Sequence, residues 1–194
     1  MIMQAFTAFS LFLVSIVIIT ACNNPNSDLE NNRLDLNYLR FGVEGSTVFT
    51  ENGNILLEED GNVQLLIAGG DNITIQSPSF SPNGKNLAFV IFDQNNAITK
   101  NLGSDLYVTT RDKSSQLILE HVDSGEFYST PRWSSDGRSL VYSHHMSTED
   151  ESGRPFLVHV EQIELSSREV KVLRRNARDP DLSPNNQMLI VVDD

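Results

Sequence analysis

The apolar residues are distributed in two different ways along the chain. Residues 1–21 are almost all apolar, and the first charged residue is Asp28. From residue 45 onward the apolar residues come in short runs, such as 87–92 and 140–142, separated by turns containing Gly, Pro, Asn and Asp. Short runs bounded by such residues are typical of β-strands. The pattern predicts an apolar N-terminal segment followed by an all-β domain over residues 45–194.

The N-terminal segment ends at the single cysteine of the chain. A run of about 20 apolar residues is long enough for a transmembrane helix, and it also fits the apolar region of a secretory signal. The junction Ile19-Thr20-Ala21-Cys22 resembles the lipobox of bacterial lipoproteins, in which the cysteine is diacylated and the signal is cleaved before it. This resemblance implies a signal peptide over 1–21 and lipidation of Cys22. The alternative for Cys22 is a buried free thiol.

The lipoprotein interpretation also sets expectations for location. Residues 22–44 begin with a polar, helix-poor stretch that suits a flexible tether. Asn23, directly after the cysteine, favours the outer membrane by resemblance to enterobacterial lipoproteins. We therefore expect an extracytoplasmic domain, periplasmic or at the cell surface, that is attached to the membrane through a lipid anchor.

A repeated motif organises the rest of the chain. Residues 77–89 align with 130–142, and 179–191 form a third, more divergent copy. The first prolines of the copies stand at 78, 131 and 180, which are 53 and 49 residues apart. This period, with strand-like sequence between copies, favours propeller blades over helical solenoids. The motif positions are Pro78, Phe80, Pro82, Asn83, Gly84, Pro131, Trp133, Asp136, Gly137, Pro180, Pro184 and Asn186.

Each kind of motif position has a structural interpretation. Proline cannot donate a hydrogen bond to a neighbouring strand, so the first proline of each copy is expected at the start of a strand. Phe80 and Trp133 are large enough to fill the space between adjacent blades. Gly84 and Gly137 follow turn residues and are expected in a left-handed conformation, and Asn186 is expected in the same conformation in the third copy.

Two further strands are predicted between successive copies, so that each unit has four. The outer hairpins are 105–110 with 116–119, 156–165 with 169–173 and, upstream, 54–58 with 62–66. Four-stranded antiparallel units at this spacing are typical of the blades of a β-propeller, with a β-sandwich as the alternative.

The sequences Ser-Pro-Asn-Gly-Lys at 81–85 and Ser-Ser-Asp-Gly-Arg at 134–138 resemble the TolB-type propeller repeat, which is a WD-like repeat. The resemblance covers residues 45–194 and implies an extracytoplasmic β-propeller. Its members include the TolB component of the Tol-Pal envelope system and the propeller domains of some serine peptidases. The strands amount to about three blades, whereas propellers typically have about 4–8. We therefore expect a piece of a longer propeller, or one completed by another subunit.

Charge and composition restrict the function further. The 194 residues include 14 Lys and Arg against 26 Asp and Glu, and the net charge of −12 argues against a nucleic-acid partner. A single cysteine excludes an intramolecular disulfide. His121 and His159 have no carboxylate or cysteine at metal-ligand spacing, and the pair His144 and His145 is expected in a loop. No metal site and no cofactor are predicted.

The predicted function is a non-catalytic binding platform in the bacterial envelope, with an envelope protein or a small ligand as its partner. No Gly-x-Ser-x-Gly nucleophile motif occurs in the sequence, and no catalytic residue is predicted. The alternative is the propeller portion of a secreted or surface serine hydrolase whose catalytic domain lies outside this chain.

Overall fold

The fold is described from a computed structural model over residues 46–94, 101–109, 115–148 and 156–193. Segments 1–21 and 22–44, including Cys22, lie outside these ranges. In the described ranges no helix is long and apolar enough to span a membrane. The strands are β1 (Thr47–Glu51), β2 (Asn54–Glu59), β3 (Asn62–Ile67), β4 (Ile73–Phe80), β5 (Leu87–Asp93), β6 (Ser104–Thr109), β7 (Ser115–Leu119), β8 (Phe127–Trp133), β9 (Ser139–Ser147), β10 (Phe156–Glu164), β11 (Val170–Arg175), β12 (Ala177–Leu182) and β13 (Leu189–Asp193).

These strands form four antiparallel sheets in chain order. Sheet I contains β1–β3, sheet II contains β4–β7, sheet III contains β8–β11, and sheet IV contains β12 and β13. In sheets II and III each strand pairs with its sequence neighbour, so the motif strands β4 and β8 lie at the edge. The predicted all-β fold of four-stranded, propeller-like blades is therefore confirmed.

Sheet I contains a strand that the sequence analysis did not predict. Strand β1 pairs with β2 from Thr47 opposite Glu58 to Glu51 opposite Asn54. Within the described residues, sheet I thus holds three strands and sheet IV holds two. Thr47–Glu51 has only two apolar residues, Val48 and Phe49, and no period-two alternation, so its sequence carried little signal for a strand whose residues are half-buried or exposed.

The first proline of each motif copy lies inside its strand and not at its start, which corrects the sequence prediction. The pairing of β4 with β5 shifts by one residue between Gln76 and Ser79, on either side of Pro78. Equivalent shifts flank Pro131 in β8 and Pro180 in β12. The residue before each proline has a positive φ of 48–53°. A β-bulge places the proline where no ladder hydrogen bond is needed, so the strand continues past it.

The turn after each motif strand is closed by a serine and an Asn or Asp. In the β8–β9 turn the Ser134 hydroxyl donates to the Asp136 carboxylate at 2.6 Å, and the Arg138 N–H donates to the same oxygen at 3.1 Å. These two hydrogen bonds, that of Ser134 first, hold the pKa of Asp136 below its usual value. The equivalent pairs are Ser81 with Asn83 and Ser183 with Asn185. The serine recurs in all three copies, but the sequence analysis gave it no structural role.

Apolar side chains pack between successive sheets. Ile55 and Leu57 of sheet I pack with Leu87 and Phe89 of sheet II. Leu106 and Val108 of sheet II pack with Trp133, Leu140 and Tyr142 of sheet III. The opposite face of sheet III, with Val141 and Val160, packs on Ala177 of sheet IV. Sheet III therefore buries both faces, as expected for an internal blade.

Replacing Gly137 by valine is expected to lower the free energy of unfolding by about 1–3 kcal/mol, because φ there is +69° and a β-branched residue is strained at positive φ. The nearest atom to an added Cβ is 3.8 Å away, so the cost comes from the backbone. Urea unfolding followed by circular dichroism measures it. The neighbouring exposed Arg138→Val is the control and should change stability by less than about 0.5 kcal/mol. Equal losses in both variants would contradict this interpretation.

Candidate functional site

A pocket of about 460 Å³ opens between sheets II and III, beside their edge strands β4 and β8. One side is aromatic: the Phe92 and Phe127 ring centroids are 6.2 Å apart, and Phe127 meets Phe156 edge-to-face at 6.1 Å. Phe156 remains 39% exposed at the opening. Three phenylalanines from β5, β8 and β10 therefore give the pocket an apolar wall that solvent reaches.

Polar groups supply the other side of the pocket. The Ser129 hydroxyl lies 2.9 Å from Nε2 of His145, and Gln76 approaches from β4. Gln76 and Ser129 occupy the same place in their motif copies, two residues before the first proline. Their equivalent positions in the two copies could have indicated from the sequence that both residues line the same pocket. A mostly apolar pocket with a few polar groups is the usual form of a ligand site.

None of the motif residues predicted from the sequence lines this pocket. The first prolines lie at the bulges, the turn residues lie between the paired strands, and Trp133 lies in the core between sheets II and III. Phe80 is half-buried against the core between sheets I and II. The motif therefore builds the blades, whereas the pocket is built by residues outside it.

A charged cluster lies behind the pocket wall, where Glu126 and Glu161 flank His144. Nε2 of His144 is 2.8 Å from Oε1 of Glu126, and Nδ1 is 3.1 Å from Oε2 of Glu161. The Tyr142 hydroxyl donates to Glu161 at 3.0 Å, and the Tyr128 hydroxyl donates to Glu126 at 3.0 Å. We call these five side chains the His144 cluster. It links the residue before β8 to strands β8, β9 and β10.

Burial, hydrogen bonds and neighbouring charges together set the pKa values in this cluster. Burial alone would lower the pKa of His144, but its hydrogen bonds and charge interactions with Glu161 and Glu126 outweigh burial and raise it. Burial would raise the pKa of Glu161, yet hydrogen bonds from His144 and Tyr142 hold it below its usual value. Burial and the adjacent carboxylates raise the pKa of Tyr128 and Tyr142, so both hydroxyls remain protonated donors.

The structure corrects the interpretation of the histidines. His144 and His145 lie in strand β9 and not in a loop, and they point to opposite faces of sheet III, one into the His144 cluster and one into the pocket. His121 does have a carboxylate neighbour, because its Nδ1 is 2.6 Å from Oδ1 of Asp105. His159 lies 4.0 Å from Glu161. These partners are 2–18 residues away in sequence, and strand register brings the distant ones together.

The described residues contain no group of three or more His, Cys, Asp or Glu side chains arranged to hold one metal ion. In the His144 cluster the two carboxylates lie on opposite sides of the imidazole ring, so the ligand atoms do not converge. The cluster is therefore arranged for ion pairing.

No family model and no curated protein sequence matches the chain. Solved structures do match it. TolB from Acinetobacter baumannii is 22% identical with a TM-score of 0.50 over 75% of this chain, and a putative TolB from Agrobacterium tumefaciens is 15% identical with a TM-score of 0.52 over 76%. An oligogalacturonate lyase in complex with manganese is 12% identical with a TM-score of 0.53 over 78%.

The matches cover 34%, 50% and 43% of those three structures, so the chain spans between a third and a half of their length. At these identities the likeness shows the fold alone. Together with the four-stranded meanders and the recurring bulge and turn, it shows that this chain has the TolB-like β-propeller fold.

Proposed function

We propose that this chain is a membrane-tethered, extracytoplasmic β-propeller that binds an envelope protein or a small ligand at the pocket between sheets II and III. The pocket itself is the observation that carries the proposal. Phe92, Phe127 and Phe156 present an apolar surface, while Ser129 and His145 supply directional polar groups. Aromatic residues with a few polar groups are enriched where proteins bind partners. The role is one of binding and not of catalysis.

Rigid placement supports this role. The pocket residues lie on strands whose bulges and turns recur from blade to blade, so the wall is formed before a partner arrives. Ser104, which also lines the pocket, fixes Tyr128 by two hydrogen bonds, donating to its carbonyl at 3.0 Å and accepting from its N–H at 2.9 Å. A preformed site binds with less loss of conformational entropy than a flexible one.

The proposed location rests on the sequence. In this proposal residues 1–21 are the signal peptide, 22–44 are the tether that follows the lipidated Cys22, and 45–194 are the propeller. The resemblance of the first part to a lipoprotein signal and the likeness of the last part to TolB both favour the bacterial envelope. Two independent parts of the chain thus support one compartment.

Site-specific photo-crosslinking in living cells tests the binding surface. A benzophenone amino acid at Phe156 is expected to give a discrete crosslinked product, because this side chain lies at the opening of the pocket and is 39% exposed. The matched control is the same probe at Val170, which is 44% exposed on β11 and away from the pocket. The Phe156 product should disappear when Phe127→Ala removes the wall. A product of equal yield at Val170, or one that persists in Phe127→Ala, would contradict the pocket as the binding surface.

Metabolic labelling tests the anchor. Cys22→Ser is expected to abolish incorporation of a fatty-acid analogue and to release the protein from the membrane fraction, because the thiol is the proposed acceptor and several acyl chains are needed for firm anchoring. Ser27→Cys combined with Cys22→Ser is the control for position, and it should not restore labelling. Label retained in Cys22→Ser would overturn the lipoprotein assignment while leaving the pocket proposal intact.

A further inference from the structure

The segment that joins sheets II and III, residues 120–126, is fastened by two imidazole rings. We call it the connector. It lies between β7 and β8 and leads directly into Phe127 of the pocket wall. At its start the connector is held by the contact of His121 with Asp105. At its end it is held by the contact of Glu126 with His144. The hydrogen bonds of each imidazole ring determine which protonation state of that histidine they require.

At the end of the connector both ring nitrogens of His144 face carboxylate oxygens. Nε2 is 2.8 Å from Glu126 and Nδ1 is 3.1 Å from Glu161. An ionised carboxylate only accepts hydrogen bonds, and a neutral imidazole carries one N–H, so a neutral ring would direct a lone pair at one of the two carboxylates. Both contacts are satisfied together only when His144 is an imidazolium.

The same reasoning applies at the start of the connector. Nδ1 of His121 lies 2.6 Å from Oδ1 of Asp105 in β6, and Nε2 lies 2.7 Å from the backbone carbonyl of Asn101. A carbonyl oxygen is also only an acceptor. The His121 side chain is 4% exposed, so water does not replace either partner. His121 therefore also satisfies both partners as an imidazolium.

The connector itself depends on these contacts. Oε2 of Glu126 accepts the backbone N–H of Val122 at 2.6 Å and of Asp123 at 3.2 Å, while its other oxygen accepts His144. The Gly125 N–H donates to the Leu102 carbonyl at 2.7 Å, which ties the connector to the residues before β6. Loss of one His144 proton leaves a lone pair against either Glu126 or Glu161. The neutral ring therefore no longer holds both carboxylates, one of which organises this turn.

We propose that the connector is a proton-operated latch: it is closed while His121 and His144 are both imidazolium and opens when they lose their protons. The charged and titratable groups that face His144 are Glu126 of the connector, Tyr128 of β8, Tyr142 of its own strand, and Glu161 and His159 of β10. Those that face His121 are Asp105 of β6 and Glu126. Glu126 and Glu161 hydrogen-bond to His144 directly. Tyr128 and Tyr142 hydrogen-bond to these carboxylates, and His159 lies 4.0 Å from Glu161.

The pH dependence has a definite sign. Burial would lower the pKa of His121, but the hydrogen bond and charge of Asp105 and the Asn101 carbonyl raise it, as the carboxylates do for His144. Stabilisation by a histidine with a raised pKa is complete below its usual value of 6.5 and is lost as the pH rises through the raised pKa. The pKa of Glu126 is lowered, so its contribution is present above 4.5 and is lost only as the pH falls through the lowered pKa. The latch is therefore closed from the lowered pKa of Glu126 up to the raised pKa values of the two histidines. It opens as the pH rises above the histidine values.

Two measurements on the full chain in detergent test the latch without any substitution. Heteronuclear NMR of the imidazole rings gives the pKa of each histidine, and amide hydrogen exchange gives the protection factors of Val122 and Gly125, corrected for the intrinsic effect of pH. We expect His121 and His144 to titrate above 6.5 while His159 titrates below it. Above the raised values, protection at the connector should fall by about tenfold per pH unit for each proton lost. Protection of the buried strand residue Val160 should not follow this titration.

Substitutions then assign the protons. Glu161→Gln should lower the pKa of His144 and move the loss of connector protection to lower pH, and His159→Gln should leave it unchanged. The proposal is overturned if His121 and His144 titrate at or below 6.5, if connector protection does not change through their titration, or if Val160 loses protection in parallel. None of these readouts depends on a binding partner, so they are independent of the proposed function.

Discussion

Replacing Trp133 by alanine is expected to lower the free energy of unfolding by about 3–5 kcal/mol. The indole is 7% exposed and packs among side chains of sheets II and III, including Val108 and Leu140. Its Nε1 also donates to the Ser79 carbonyl of β4 at 2.8 Å, which joins the two sheets directly. The substitution leaves a cavity between two blades and an unpaired carbonyl. Because Trp133 is the single tryptophan of the chain, far-ultraviolet circular dichroism in urea is the suitable measurement.

Two further variants separate the effect of the buried area at Trp133 from that of its hydrogen bond, and compare Trp133 with the equivalent position in the first motif copy. Trp133→Phe keeps most of the buried area and loses the hydrogen bond, so it should cost less than Trp133→Ala by at least about 1 kcal/mol. Phe80→Ala removes the equivalent aromatic residue of the first motif copy, which is only half-buried, and should also cost less. A loss at Trp133 no greater than that at Phe80 would show that this ring does not support the space between sheets II and III.

The second large effect is expected at Gly103, where alanine should cost about 3 kcal/mol. An added Cβ would lie 2.4 Å from Cδ2 of His121 and 2.5 Å from the backbone carbonyl oxygen of Glu126. Neither neighbour can move freely, because His121 is held at both ring nitrogens and the Glu126 carbonyl accepts the Ser104 N–H at 3.1 Å. Thermal or urea unfolding of Gly103→Ala measures the loss.

Gly70→Ala is the matched control for this prediction. The nearest atoms to a Cβ at Gly70 belong to the Ile73 side chain, the closest at 3.6 Å, and the backbone there does not require a positive φ. We expect a change of less than about 0.5 kcal/mol. If Gly103→Ala is as well tolerated as Gly70→Ala, the connector does not approach β6 as closely as described.

The repeated motif made the blades predictable because its information is local. Ser-Pro-Asn-Gly at 81–84 and Ser-Ser-Asp-Gly at 134–137 determine turns over four residues, and the runs beside them pair across those turns. The place of Pro78 was not predictable in the same way. A proline at a strand start and a proline at a bulge satisfy the same missing donor, and only the pairing register distinguishes them.

The pocket and the His144 cluster depend on contacts that are distant in sequence. Glu126 and Glu161 lie 18 and 17 residues from His144 and meet it because β8, β9 and β10 pair in one register. A register shift of one residue would turn His144 to the opposite face and break both contacts. Phe92 and Phe127 come from different sheets, so no spacing within one strand indicates their contact.

The bulged prolines determine which edges of the sheets another polypeptide strand could join. In β4, β8 and β12 the proline removes a donor and the bulge bends the strand, two devices that prevent edge-to-edge aggregation. Strand β11 carries Lys171, Arg174 and Arg175, which protect an edge by charge. Strand β13 has neither a proline nor a basic residue, and its Ile190 is 66% exposed. Another strand, from a partner or by aggregation, should therefore pair more readily with β13 than with β4, β8, β11 or β12, and Ile190→Lys should oppose that pairing.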